Sequence, residues 1–408
     1  MTGLDGVDPA RPGESGPADI RPDTLAVHGA DFHDTHDRAH VPPIHLTTVF
    51  QFESVEDMAA TFRGERPGWI YTRYGNPTLA LVERHLAALE GAEAALAVSS
   101  GMAAISTLIL SELSAGDHLV AAADLYGGTR NLLDGIVRRM GITTSWAAAD
   151  DPAAFRNAIR PGTKAIFVET PTNPTLRIAD LTAIVAAGRE TSVPVFVDNT
   201  FATPILQRPL DFGATAVIHS ATKALAGHDD VTAGVIVGTR ALVDRCRETM
   251  KWLGGCLDPH AAWLLERGIK TLGLRIARQS QNALVLARWL EQHPAVRSVN
   301  YPGLATHSAH DLAARQMRGF GGILAFDLAG GEPAVRHWAE GLSLIRLAPT
   351  LGGVETIALI PAVSSHIRLS SDERLAAGIS DGTIRISCGI EDPADLIKDL
   401  DRALGRHD

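Results

Sequence analysis

Two short stretches decide the fold. The first is Val193-Pro194-Val195-Phe196-Val197-Asp198-Asn199-Thr200; the second is Ala216-Val217-Ile218-His219-Ser220-Ala221-Thr222-Lys223. Each is an apolar run without polar alternation that stops on polar residues, the pattern of a strand buried on both faces. The same unit recurs on either side, at Ala94 to Val98, His118 to Ala122, Thr144 to Ala147, Ala165 to Glu169 and Gly234 to Gly238. Helical periodicity separates them. Thr78 to Leu89 places Leu79, Val82, Leu86 and Leu89 on one face, and Met102 to Leu113 and Leu181 to Arg189 also read as helices. Strands alternating with helices predict an α/β protein: a mostly parallel, seven-stranded sheet covered on both sides.

Beyond that sheet, Ala261 to Arg278 and Asn282 to His293 read as two helices leading outward. After Tyr301-Pro302-Gly303 the pattern changes. Gly322 to Leu328 and Thr383 to Ser387 read as strands, and Pro333 to Gly341 and Pro393 to Leu404 as helices. These predict a smaller C-terminal α+β domain. The expected divisions are a tail and arm over 1–75, a large domain over 76–274 and a small domain over 275–408.

Composition narrows the function. A net charge of −10 argues against nucleic acid as a partner. The three cysteines form no CxxC pair and are too few for a disulfide framework, which points to a reducing compartment. No apolar run is long enough to span a membrane. Met1 to Asp23 lacks the apolar core of a signal peptide and reads as a loose tail. A cytoplasmic protein is expected. His28, His33, His36, His40 and His45 are irregularly spaced and have no cysteine partners, so no metal is expected.

Only five residues are lysines: Lys164, Lys223, Lys251, Lys270 and Lys398. In an open α/β sheet, ligands bind at the carboxyl ends of the strands. Lys223 sits at such an end, flanked by Ser220 and Thr222. Lys164 precedes a strand, Lys270 and Lys398 lie in helices, and Lys251 falls in a helix-to-loop segment. A lysine so placed can form a Schiff base with an aldehyde. Asp198, at another strand end, can pair with a pyridinium nitrogen and keep the ring an electron sink. Ser100-Gly101-Met102 joins a strand to a helix N-terminus, which suits a phosphate. Tyr126 can stack on a pyridine face. Arg385 can clamp a carboxylate through two parallel hydrogen bonds. Order, position and residue type together suit pyridoxal 5'-phosphate (PLP).

A family resemblance rests on many motifs. They include Tyr71-Thr72-Arg73-Tyr74-Gly75-Asn76-Pro77, Ser100-Gly101-Met102-Ala103-Ala104, Tyr126-Gly127-Gly128-Thr129 and Glu169-Thr170-Pro171-Thr172-Asn173-Pro174. They continue with Val197-Asp198-Asn199-Thr200-Phe201, His219-Ser220-Ala221-Thr222-Lys223, Arg267-Gly268-Ile269-Lys270-Thr271-Leu272 and Arg385-Ile386-Ser387. Over about Thr24 to Leu404 the chain resembles the sulfur-amino-acid (trans-sulfuration) family of PLP enzymes. That family contains cystathionine γ-synthase, the cystathionine lyases, methionine γ-lyase and the O-acylhomoserine sulfhydrylases.

The resemblance implies a fold-type I, aspartate-aminotransferase-like PLP enzyme. It implies Lys223 as the Schiff-base lysine, with Tyr126 stacking on the ring and assisting as acid or base. Asp198 would hold the ring nitrogen and Asn173 the phenolic oxygen. Gly101, Met102, Ser220 and Thr222 would hold the phosphate. Tyr71 and Arg73 would reach the phosphate of a neighbouring subunit within a homotetramer. Arg385 and Thr350 would contact an amino-acid substrate.

Three departures bear on the reaction. Gly128 stands where methionine γ-lyases carry cysteine. Pro349 precedes Thr350-Leu351-Gly352-Gly353 where cystathionine γ-lyases carry glutamate. Ala224 replaces the usual aromatic residue after the lysine, which suggests extra space near the cofactor. In the other direction, Gly227-His228-Asp229-Asp230 and Pro259-His260 resemble methionine lyases. The expected reaction is γ-replacement on an activated L-homoserine. The alternatives are γ-elimination to 2-oxobutanoate and ammonia, or γ-substitution by another nucleophile.

Overall fold

The structure, a computed structural model, describes residues 20–29 and 39–405. His33, His36 and residues 1–19 of the expected tail lie outside the described residues; Pro22 and Asp23, expected in that tail, belong to a helix.

The large sheet comprises β1 (Ala94–Val98), β2 (His118–Ala122), β3 (Thr143–Ala147), β4 (Thr163–Glu169), β5 (Val195–Asp198), β6 (Ala216–His219) and β7 (Gly234–Gly238). Its order is β1-β7-β6-β5-β4-β2-β3. β7 is antiparallel to β1 and β6, and every other pair is parallel. Hence β1, β2, β4, β5 and β6 all end at one edge of the sheet, where β7 begins.

Helices α1 (Pro22–His28), α2 (Val55–Phe62) and α3 (Pro77–Glu90) come first in the chain. Then follow α4 (Gly101–Glu112), α5 (Gly127–Leu132), α6 (Pro152–Ala158), α7 (Leu181–Glu190), α8 (Thr203–Leu206), α9 (Arg240–Leu253), α10 (Pro259–Ile269) and α11 (Leu272–Glu291). Local chemistry sets their ends. Asn76 caps α3 through Thr78 N–H with Pro77 in the first turn, and Gly91 closes it in the left-handed region. Ser100 caps α4 by accepting from Ala103 N–H.

The strands are buried on both faces because two cores flank them. Leu96 and Val98 of β1 face a core that also holds Leu108, Phe155, Ile184 and Val243. Ala95 and Ala97 face another, with Leu79, Val82, Leu86, Leu265 and Ile276. Truncating a fully buried ring such as Phe196 to alanine would cost about 3–5 kcal/mol.

The second sheet has the order β10-β11-β12-β9-β8. Its strands are β8 (Val296–Asn300), β9 (Ile323–Leu328), β10 (Arg346–Leu347), β11 (Ile357–Leu359) and β12 (Thr383–Ser387), with α12 (His310–Gln316), α13 (Gly331–Gly341), α14 (Ser371–Ala376) and α15 (Pro393–Leu404). The expected division at 275 falls inside α11. Leu272 and Ile276 pack into the large-sheet core; Ala283, Leu286 and Leu290 pack into the core of the second sheet. A continuous helix therefore joins the two cores. The chain break lies at Lys270-Thr271, not near residue 280 as expected. Gln279, in the expected gap between two helices, and Asn282, expected to open the second, are both buried and donate to the carbonyls of Gly353 and Gly389.

Candidate active site

The residues singled out from the sequence converge at the carboxyl edge of the large sheet. Gly101 and Met102 follow β1, Tyr126 follows β2, Asn173 follows β4, Asp198 ends β5, and Ser220, Thr222 and Lys223 follow β6. The second sheet contributes Arg385 from β12 and Thr350 from the loop before β11.

Thr350 is the hub. Its hydroxyl accepts from Lys223 Nζ at 3.1 Å, and its carbonyl accepts from Arg385 Nη2 at 2.7 Å. Arg385 Nη1 donates to Asn173 Oδ1 at 2.9 Å. The buried Nε of Arg385 has no protein partner, so the guanidinium keeps a donor for something else. Burial lowers the pKa of Arg385 to about 10, which leaves it charged at neutral pH. Burial, and then the nearby Arg385 charge, also lower the pKa of Lys223, while Asp229 opposes them. Such a lysine gives and takes a proton more readily than one in water.

Asp198 is buried and accepts on Oδ1 from Thr200 N–H at 3.1 Å and from the Thr200 hydroxyl at 2.5 Å. Burial raises its pKa; the Thr200 bonds and the His219 charge pull it back. The Thr200 oxygen in turn accepts from Ser220 N–H at 2.8 Å, tying β5 to the lysine loop. Gly101 packs against Ser220: a β-carbon there would lie 2.7 Å from the Ser220 Cβ. A glycine at the first turn of α4 thus keeps its backbone N–H groups open to an anion. The Thr222 hydroxyl bonds both the carbonyl and the N–H of Ala233.

Residues 23–405 match the family described as Cys/Met metabolism PLP-dependent enzyme. The chain belongs to that family. It is 44% identical over 383 residues to L-methionine gamma-lyase of Pseudomonas putida, covering 93% of this chain and 96% of that one. It is 42% identical over 382 residues to cystathionine gamma-lyase of Bacillus subtilis, covering 93% and 98%. Among solved structures it resembles cystathionine gamma synthase from Xanthomonas oryzae pv. oryzae in complex with aminoacrylate and cysteine, with a TM-score of 0.89 and 39% identity over 95% of this chain and 98% of that one.

As a trans-sulfuration PLP enzyme the chain takes PLP as its cofactor and has the fold-type I architecture. The site fits that group. It offers an open helix N-terminus for the phosphate, a buried carboxylate for a cationic ring nitrogen and an amine with a lowered pKa.

Ala224 behaves differently from the expectation and does not open space. It is buried, and a β-carbon on Gly352 would lie 2.6 Å from Ala224 N, so the Gly352 backbone fills the gap. Tyr71 and Arg73 sit away from the cradle: Arg73 donates to the Lys251 carbonyl at 2.6 Å and lies over the Tyr71 and Tyr74 rings. Lys251 itself belongs to the last turns of α9 rather than to a loop.

Three further residues line the site: Glu169 and Asp229, quoted in the sequence motifs without a role, and His366, which sequence reasoning missed. Glu169 ends β4 and accepts from Tyr126 N–H at 2.7 Å. His366 lies close enough to Arg385 for that charge to lower its pKa, after burial. Asp229 approaches Thr350. A polar residue ending a strand was a usable signal for Glu169. The other two come together only through long-range packing. Among the described residues, no cluster of His, Cys, Asp or Glu could hold a metal, and no helix is long and apolar enough to cross a membrane.

Proposed function

We propose that the chain catalyses γ-replacement on an activated L-homoserine. The observation that carries this reading is the line Lys223–Thr350–Arg385, which sets a proton-accepting amine beside a carboxylate clamp. An α-amino acid held by its carboxylate on Arg385 presents its α-carbon to Lys223. PLP supplies an electron sink for the charge left when the α-proton departs. Lys223 would take that proton, give it up again, and only then take one from the β-carbon; it is the amine in reach. Asp198 holds the ring nitrogen, Asn173 the phenolic oxygen, and Gly101, Met102, Ser220 and Thr222 the phosphate. Thr222 would turn its hydroxyl from Ala233 to do so. Tyr126 covers the ring and assists at the leaving group. Tyr71 and Arg73, placed away from their own cradle, serve the phosphate of a neighbouring copy in a homotetramer.

The 46% exposure of Tyr126 supports access of a second substrate to the ring face, and so replacement. A second reading, γ-elimination, draws on the identity to the two lyases. A product screen separates them. O-acetyl- and O-succinylhomoserine, cystathionine and methionine are offered with and without a thiol. Thioether formed without 2-oxobutanoate supports replacement; 2-oxobutanoate released without thiol supports elimination. Covalent attachment of the cofactor after borohydride reduction that persists in Lys223→Ala would overturn the site itself.

A further inference from the structure

Asp229 carries a carboxylate that none of the cofactor roles uses. Its Oδ1 lies 3.5 Å from the Thr350 hydroxyl, the same hydroxyl that receives Lys223 at 3.1 Å. One side chain therefore separates this carboxylate from the amine. The backbone of Asp229 has a φ of 58°, in the left-handed region where non-glycine residues are uncommon. The opposite wall is Gly352-Gly353, and a β-carbon on Gly353 would collide with the Asp229 carboxylate. That wall is pinned from below, since Gln279 Nε2 donates to the Gly353 carbonyl at 2.7 Å and Gly352 N–H donates to Ser387 Oγ at 2.8 Å.

The charges are divided. Lys223 and Arg385 supply the positive side. On the acidic side, burial raises the pKa of Asp229, the Lys223 charge and the Thr350 bond oppose this, and Glu355 and Asp230 add to the rise. In the reading proposed above, the positive pair serves the α-carboxylate and α-proton of the substrate.

We propose that Asp229 selects the distal end of the substrate: it admits amino acids whose side chain ends neutral or cationic and disfavours those that end in a carboxylate. The inference rests on Arg385 and Lys223 anchoring the α-amino acid. It predicts that a homoserine ester with a neutral acyl group is used better than one whose acyl group carries a free carboxylate.

The test uses the PLP-loaded enzyme and three unreactive amino acids that differ at the far end: L-lysine, L-norleucine and L-2-aminoadipate. Binding is measured by calorimetry. Wild type should bind 2-aminoadipate about 10-fold more weakly than norleucine, the size expected of like charges facing across a partly desolvated site. Lysine should bind at least as well as norleucine. In Asp229→Asn the aminoadipate-to-norleucine ratio should fall to within about twofold; asparagine tolerates the left-handed backbone, so the loop is kept. Asp229→Gly should give the same ratio. Equal binding of aminoadipate and norleucine in wild type, or an unchanged ratio in both variants, would overturn the proposal. If the loaded enzyme bound none of the three, the anchoring reading itself would fall, and this inference with it.

Discussion

Glu169 and Asp198 stand side by side at the carboxyl ends of β4 and β5, paired across the sheet and both buried. Two carboxylates in such a place do not ionise alike. Asp198 has the Thr200 hydroxyl and the His219 charge to favour its anion. Glu169 has Asp198 against it, and burial pushes its pKa well above the usual carboxylate range. Burial raises both pKa values, and Asp198 is the more readily ionised of the pair. Glu169 also accepts the Tyr126 N–H, so the same side chain fixes where the tyrosine leaves β2.

A pH dependence of stability follows. Below the unfolded value of 4.5, Glu169 is protonated in both states. As pH rises through the window from there to the raised folded pKa, the unfolded chain ionises and the folded chain does not, so stability is lost. Glu169→Gln carries no titrating proton and keeps an acceptor for Tyr126 N–H. Its melting temperature should match wild type near pH 4 and exceed it by about 1–3 °C at pH 8. A constant difference across that range, measured by thermal unfolding, would contradict the assignment.

Arg385→Lys tests the clamp. Lysine keeps the charge but has no planar fork to reach Asn173 Oδ1, the Thr350 carbonyl and a substrate carboxylate together. Charge-assisted hydrogen bonds of this kind contribute about 1.5–3 kcal/mol. KM for an α-amino acid should rise by roughly 10- to 100-fold, while the visible absorbance of bound PLP stays. Loss of that absorbance would mean that Arg385 supports the cofactor and not the substrate.

Legibility in the sequence followed the range of the interactions. The seven large-sheet strands could be read because each is a short apolar run, and Lys223, Asp198 and Tyr126 because each lies at or just beyond the carboxyl end of one. The second sheet was half legible. Val296-Arg297-Ser298-Val299-Asn300 carries too much polarity to read as a strand, yet β9 pairs with it. Ile357-Ala358-Leu359 is too short to stand out. A break is expected after Arg278, inside what is the continuous α11, because the partners of Gln279 and Asn282 lie more than 70 residues away. Asp229 beside Thr350 was invisible for the same reason.

Gly128 controls the tyrosine. A β-carbon there would collide with the edge of the Tyr126 ring and lie 3.1 Å from Met102 Sδ. The ring is half exposed and free to turn aside, so the fold would tolerate the change. Gly128→Ala should shift the melting temperature by no more than about 2 °C, while kcat falls several-fold because the ring no longer rests where it does. Unchanged kcat, or a drop in stability large enough to explain the activity, would argue against a positioning effect.

Arg275 supports the catalytic lysine from beneath. It is buried near the start of α11, with no carboxylate partner among its hydrogen bonds. Its guanidinium donates to the carbonyls of Ala224 at 2.6 Å and Gly268 at 2.7 Å, and reaches that of Leu225 at 3.3 Å. The turn after Lys223 is closed onto it. Gly227 is left-handed at φ 70°, and a β-carbon there would collide with the Arg275 guanidinium. Removing the guanidinium leaves buried carbonyls unpaired, at about 1–3 kcal/mol each where water cannot enter. Arg275→Leu should therefore lose about 3 kcal/mol in urea unfolding. Arg275→Lys should recover only part of it, because one ammonium cannot span three carbonyls in the same geometry. Both variants should bind PLP more weakly, since the loop that carries Lys223 is no longer held to α11. If Arg275→Leu kept wild-type stability and full cofactor absorbance, the lysine loop would have to be held by Ser220, Thr222 and Thr350 alone.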